Sequence, residues 1–405
     1  MTQALLRGTP AQKMQAAGAA LLLALALAYL VLKVFDGTDT IDFKYIHLAG
    51  ALWGEGIDPY SAAYAEQGEM RFQGLNRPEY LFYPPHWWAI ATGFAQAPYE
   101  TAGLLWRIVM AACMIGGCFV LHRTVIHIAG ENRPWRTWAM LVFAGAMSAT
   151  AIALSLGQTS CLLFFGVCLY VHAFVTRRRG LMVLALVIVW LKPNVGLALS
   201  LFLVPGLFWW PALIGGALAV VAASLPALLP HGPIEVIRGY LHALSQWEAL
   251  APNQPWNITG LRHLAELVTG AVLPGTPLAL TASALALGLG ALLVRRDETA
   301  RGRAAALIPL IALLLLCVPM HSYDMVLLIV LIALGVVLPG WAGAVLALAL
   351  LAAFRANNLE TLLGLSGTGG MRPPGTTVLS LAVLAIVLVS WAGLRAPRPR
   401  SRPAP

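Results

Sequence analysis

The chain has 405 residues, 59% of them hydrophobic and only 11% charged, and its mean hydropathy is +0.78. A soluble protein of this length carries roughly twice that charge, and continuous rather than alternating apolar runs exclude a membrane β-barrel, so the sequence predicts an all-α polytopic membrane protein. The net charge of +9 sits in short arginine clusters between apolar runs (Arg177–Arg179, Arg295–Arg303, Arg395–Arg402), a positive-inside pattern that explains the basic pI and needs no nucleic acid partner.

The first apolar run, about 16–34, reads as a span and not as a signal peptide, because no small-x-small cleavage site follows it. Lys13 before it places the N-terminus in the cytoplasm and residues 36–99 outside. The stretch 36–86 holds eight of the seventeen acidic residues, and carboxylates gather where water and chemistry are. Gly54 to Tyr60 reads as a turn between two short helices. Tyr80 to His86 is an aromatic approach to Pro85–Ala97, about 13 residues, too short to cross, read as an interface helix anchored by Trp87 and Trp88.

Further spans are predicted at about 100–122, 137–155, 158–176, 180–193, 194–210, 211–229, 273–294, 303–320, 322–338, 340–355 and 376–394. That gives about twelve transmembrane helices in one domain, residues 1–394, with both termini and every arginine cluster in the cytoplasm. Residues 230–272 form a second large outer loop, amphipathic near Ile234–Trp247 and Ile258–Val268, and 395–405 a disordered basic tail. The five cysteines all lie in apolar runs and read as small core residues, not as disulfides or a metal site.

Asp42, just beyond the first span, is placed to take a proton from a hydroxyl nucleophile as a general base. The alternative is a solvated charge or a helix N-cap, and Asp36 and Asp39 stand on the same footing. Lys192, before Pro193 and Asn194, is a lysine in an apolar segment, suited to a phosphate whose lipid tail lies between helices, or else snorkelling to the interface. Gln158 in Gly157-Gln158-Thr159-Ser160, and His321, Tyr323 and Asp324 in one short run, sit at other outward helix ends. With Asp42 and Lys192 they are expected to ring one outer cavity, closed from above by Asn257, Arg262 and His263. His86 is a further candidate for substrate contact, though anchoring explains it too, and Arg71 and Arg77 are candidate phosphate or sugar ligands. There is no P-loop, HExxH, GxSxG or paired CxxC.

In chain order, Asp42-Phe43 with Tyr45, Gly56-Ile57-Asp58-Pro59-Tyr60, Phe82-Tyr83-Pro84-Pro85, Gly157-Gln158, Leu191-Lys192-Pro193 and Tyr323-Asp324 resemble the GT-C glycosyltransferases, most closely glycosyltransferase family 87. That family includes polyprenyl-phosphate-mannose-dependent mannosyltransferases. The resemblance covers roughly residues 16–330 and implies a bundle of spans under short juxtamembrane helices of the first outer loop. It implies a bacterial plasma membrane location with the site on the extracytoplasmic side. It also implies inverting transfer from a polyprenyl-phosphate sugar donor to a lipid or glycan acceptor, with Asp42 as base. Donor phosphate and sugar would then be met by Lys192, Gln158, Asn194, His321, Tyr323, Asp324, Tyr83, His86 and Arg262. Membrane lipids are the other partners. No cofactor is implied, and whether a divalent ion assists stays open. Two rival readings remain. A transporter or flippase would gather facing charges near mid-bilayer, whereas here they cluster at helix ends; a glycan ligase or polymerase would share the donor chemistry.

Overall fold

Within lipid every backbone N–H and C=O must find a partner inside the protein, so the apolar runs become helices. The computed structural model describes residues 9–36, 40–72, 78–130, 141–142, 145–294, 299–338, 340–363 and 375–395. Asp39, Arg77, Arg295, Arg296 and the tail from 396 onward lie outside them. The helices are α1 (Pro10–Val34), α2 (Phe43–Gly54), α3 (Ala63–Arg71), α4 (Trp88–Phe94), α5 (Tyr99–Ala129), α6 (Ser148–Leu156), α7 (Ser160–Thr176), α8 (Arg179–Val189) and α9 (Pro193–Leu203). They continue with α10 (Trp210–Leu228), α11 (Pro233–Gln246), α12 (Leu261–Thr269), α13 (Gly275–Leu293), α14 (Ala300–Cys317), α15 (Leu328–Val337), α16 (Ala342–Leu362) and α17 (Thr376–Arg395). The protein is an all-α polytopic membrane protein.

Six helices among the described residues are long and apolar enough to cross a membrane: Lys13–Val34, Tyr99–Ala129, Leu207–Leu228, Gly275–Leu293, Ala300–Cys317 and Thr376–Gly393. Five shorter apolar helices, Ser160–Thr176, Arg179–Val189, Pro193–Leu203, Ser322–Val337 and Ala342–Phe354, stand where further spans are expected from the sequence. The segments 180–193 and 194–210 form the arms of a hairpin, α8 and α9, with eleven helical residues each. Each arm rises about 16 Å, roughly half of a crossing. Its base is fixed where Arg179 Nε donates to Phe208 O at 2.9 Å and Arg177 and Arg179 lie over the Phe208 ring at 4.4 and 4.1 Å. Its tip is the turn Trp190–Lys192. Periodic hydrophobicity finds both arms but does not measure how deep a hairpin reaches.

Contacts between helix ends sort the chain into two poles. At the pole of the hairpin base, Arg303 Nε and Nη2 donate to Val175 O at 2.9 and 2.7 Å. At the other pole Lys192 and Ser160 bond Asp324, Gln158 bonds Asp42, and Glu248 meets Arg262. The core is buried aliphatic packing centred on α7, α14 and α15.

At the second pole α2 and α4 pack together as juxtamembrane helices, and Gly56, at φ +74°, makes the turn after α2. Trp87 is not a lipid anchor. It is 1% exposed and its Nε1 donates to Leu191 O at 3.0 Å, pinning the start of this layer to the hairpin tip. Residues 230–272 contain helices where amphipathicity predicts them, α11 and α12. They also contribute strand β1 (Ile258–Thr259), which pairs antiparallel with β2 (Met320–His321) and ties the loop to the bundle.

Candidate active site

Asp42 stands at the start of α2, held at both ends of the residue. Its backbone N donates to Leu156 O at 2.9 Å, and Gln158 Nε2 donates to its Oδ2. The Gly157-Gln158 turn that delivers the amide needs glycine: φ is +71°, and a Cβ would lie 2.9 Å from Thr40 Cβ and 3.0 Å from Phe43 Cβ. Trp106 Nε1 clamps the turn from the far side by donating to Gly157 O at 2.8 Å. Burial raises the Asp42 carboxyl to about 6, partly offset by the hydrogen bond from Gln158. That value suits a general base near neutral pH.

Asp36, its rival in sequence, is already engaged. It meets Arg107 Nη1 at 3.3 Å, Ser155 Oγ at 3.2 Å and Lys33 Nζ at 3.4 Å, tying α1 to α5 and α6.

A second cluster forms around Asp324, whose side chain is 0% exposed. Lys192 Nζ contacts Asp324 Oδ2 at 2.6 Å, Ser160 Oγ donates to Oδ1 at 2.7 Å, and the His321 backbone N donates to Oδ2 at 3.2 Å. Lys192 is thus neither a lone charge nor a lipid snorkel; its side chain is 27% exposed and its ammonium is paired. His321 Nδ1 faces Asn257 O at 3.2 Å and Nε2 faces Asn253 Oδ1 at 3.1 Å, while its ring stacks on Tyr323 at 4.8 Å. Burial lowers the His321 imidazole to about 4, against the opposing pull of Asp324.

Tyr83 lies within electrostatic reach of both clusters. Burial first, then the charges of Asp42 and Asp324, hold its hydroxyl well above the usual phenol range. Tyr323 likewise lies within reach of both charges. Tyr60 Oη donates to Tyr83 O at 2.6 Å and fixes that strand of chain. His86, 7% exposed, bonds the Trp190 backbone; its Nε2 has no partner among the described residues, and burial lowers its pKa to about 4.

Arg262 is set apart in the second loop. It is 2% exposed, meets Glu248 Oε2 at 3.7 Å, and its Nε and Nη1 have no partner among the described residues. Glu248 Oε1 in turn accepts from Gly275 N at 2.7 Å, at the N-terminus of α13. Burial lowers the Arg262 pKa from its usual value. His263 is buried against Pro255 O and Thr377 Oγ1 and does not face the cluster. Asn194 turns its Oδ1 to the Val195 backbone N at 3.0 Å, a local bond at the start of α9. Arg71 is taken by Glu55 at 2.8 and 2.9 Å. Sequence reading passed over Glu248 and Asn253, because neither stands in a periodic or motif context; only the folded loop gives them partners.

This pole therefore offers one half-buried carboxylate with a raised pKa, a row of tyrosines, and buried cationic groups. The sequence model of glycosyltransferase family 87 matches residues 80–319, more than half of the chain. The chain belongs to glycosyltransferase family 87. This member is accordingly a glycosyltransferase, with a sugar donor and an acceptor as substrates. The matched range of this family 87 chain contains Tyr83, His86, Gln158, Lys192, Asn194 and Arg262, whereas Asp42, His321, Tyr323 and Asp324 fall outside it. No protein of curated function and no solved structure matches the chain.

Proposed function

We propose that this glycosyltransferase is an inverting GT-C-type enzyme that moves a sugar, mannose as the first choice, from a polyprenyl-phosphate donor to a lipid or glycan hydroxyl. Asp42 takes the proton of the acceptor hydroxyl as its oxygen attacks the anomeric carbon. The bond from that carbon to the phosphate oxygen breaks, and polyprenyl phosphate leaves with the electron pair. The observation that carries this reading is the Asp42 carboxylate, raised to about 6 by burial and oriented by the Gln158 amide.

The leaving phosphate needs positive charge and donors. Two groups supply them in this reading. Lys192 offers its ammonium at the hairpin tip, with Asp324 holding it in place. Arg262 offers unpartnered Nε and Nη1 beside the N-terminus of the nineteen-residue helix α13. His86, Tyr83, Gln158, His321, Tyr323 and Asn194 orient the sugar and phosphate. The arginines at the opposite pole favour a cytoplasmic hairpin base, cytoplasmic termini and an extracytoplasmic site in a bacterial plasma membrane.

The test is Asp42→Asn in membranes supplied with polyprenyl-phosphate mannose and extracted lipids. Transfer at the wild-type rate defeats the reading. Cysteines placed at positions 56 and 178 test the orientation: the reading requires labelling of the first, not the second, by an impermeant reagent.

A further inference from the structure

Helix α11 turns three faces to three surroundings. Val236 and Ala243 are buried and make the face that packs on the protein. Between them a Cβ on Gly239 would lie 2.8 Å from both Tyr60 Cβ and Tyr60 O, so α11 rests directly on the first outer loop. Glu235, Arg238 and His242 are exposed and make a polar face. Ile234, Ile237, Leu241 and Leu244 recur at intervals of three and four, so they form one apolar stripe, and all four are exposed. A helix lying between protein and water needs only the first two faces. A contiguous exposed apolar stripe marks a surface that meets something other than water.

The place of α11 in the chain decides what that is. The apolar run Leu207–Leu228 begins at the hairpin base, where Phe208 O accepts from Arg179 Nε, and its 22 residues are enough to cross the membrane. It therefore ends at the pole of the hairpin tip. Residues 230–232 then turn the chain at Gly232, φ +84°, and α11 begins at Pro233. On the outside of the preceding span Leu218, Val221, Leu225 and Leu229 are exposed, and the stripe of α11 opens at Ile234, five residues on. The lipid-facing surface of α10 thus continues onto α11 at the level where the bilayer ends. Arg238 stands one turn from Ile234, at the seam between the stripe and the polar face. Its stem suits the apolar stripe and its guanidinium suits headgroup phosphate.

We propose that α11 lies in the membrane boundary of the leaflet on the side of the hairpin tip. Ile234, Ile237, Leu241 and Leu244 enter the acyl region, Arg238 meets the headgroups, and Glu235 and His242 face water. This seating sets the height of the candidate site relative to the lipid. Gly239 bears on Tyr60, whose Oη donates to Tyr83 O at 2.6 Å, and Tyr80 meets His242 at 6.1 Å between ring centroids. The stretch of chain that carries Tyr83 is thereby braced against a helix resting on lipid, whichever group the enzyme transfers.

The test uses the purified full chain in nanodiscs of phosphatidylcholine and phosphatidylglycerol, with single added cysteines on α11 carrying the fluorophore bimane. The wild-type chain, whose five cysteines are buried or half-buried, sets the background. In Ile237→Cys and Leu241→Cys, fluorescence should be lost to lipid brominated high on its acyl chains and spared by aqueous iodide. In Glu235→Cys and His242→Cys, it should be lost to iodide and spared by the brominated lipid. All four positions are exposed, and where a central variant unfolds, Ile234→Cys and Leu244→Cys carry the same readout. Iodide quenching at every position puts α11 in water and overturns the proposal. Protection of 237 and 241 from both quenchers means that protein covers the stripe, a second copy or another segment, and overturns it too. Bromine quenching at all four positions sinks the polar face and does the same.

Discussion

Removing the Gln158 amide should move the pH dependence of transfer. In the proposed role Asp42 takes the proton only when ionised, and burial raises its pKa to about 6 where 3.8 is usual. Wild-type rate should therefore rise with pH through about 6 and level off above it, with about a tenth of the maximum at pH 5. The Gln158 hydrogen bond favours the ionised form, so Gln158→Leu raises the pKa further. A hydrogen bond to a charged group is worth about 1.5–3 kcal/mol. Discounted for the partial exposure of Asp42, that is about one pKa unit at 1.36 kcal/mol each. The limb should then sit near 7, with the defect larger at pH 6 than at pH 8, where only the loss of the Gln158 contact to substrate remains. Asp42→Asn should lose about a hundredfold or more at every pH. The folded-state pKa lies above the unfolded one, so ionisation of Asp42 opposes folding as pH rises through about 6. Asp42→Asn should accordingly keep its thermal midpoint at pH 7.5 at or above wild type, which separates lost chemistry from lost fold. The assay is initial-rate transfer from polyprenyl-phosphate mannose between pH 5 and 9. A Gln158→Leu rate reduced by the same factor throughout, with the limb unmoved, refutes the assignment of Asp42 as the titrating base.

Asp324→Ala should destabilise the protein by about 3–5 kcal/mol in detergent unfolding, because it strands the Lys192 charge; the double variant Lys192→Met with Asp324→Leu should regain most of that stability and none of the activity. Gly157→Ala should cost about 1–3 kcal/mol, since a Cβ there meets Thr40 and Phe43 at positive φ, and a wild-type thermal midpoint would show that the turn is not constrained as described. Arg262→Ala should raise the KM for donor with little change in kcat, and Arg262→Lys should not restore it, because a point charge cannot replace the guanidinium fork; an unchanged donor KM removes Arg262 from the phosphate site.

Much of the architecture was legible because lipid imposes one strong rule. Apolar runs had to be helices, and basic clusters had to share a pole, as Arg177, Arg179 and Arg303 do. The pairing of Gln158 with Asp42, and the convergence of Lys192 with Asp324, followed from placing polar residues at the same helix ends. Tertiary detail was not legible. Nothing in Lys192 foretells that its charge is taken by a buried carboxylate 132 residues away. Trp87 carries the composition of a lipid anchor but points its indole at Leu191 O. The bridge between Ile258 and His321 rests on two residues per strand, too short for any periodicity to register.

The hairpin of α8 and α9 has a consequence for the surrounding lipid. Beside the nineteen-residue helices α10 and α13, on which they pack, two eleven-residue arms leave an apolar wall of unequal height. The leaflet on the side of the hairpin tip must dip there, or water must fill the step, since acyl chains gain nothing against the paired Lys192 and Asp324. A prenol chain lying in that depression would bring its phosphate down to the hairpin tip without leaving the hydrocarbon. The floor of the reaction chamber would then be set by how short two helices are, and not by any loop that folds over it.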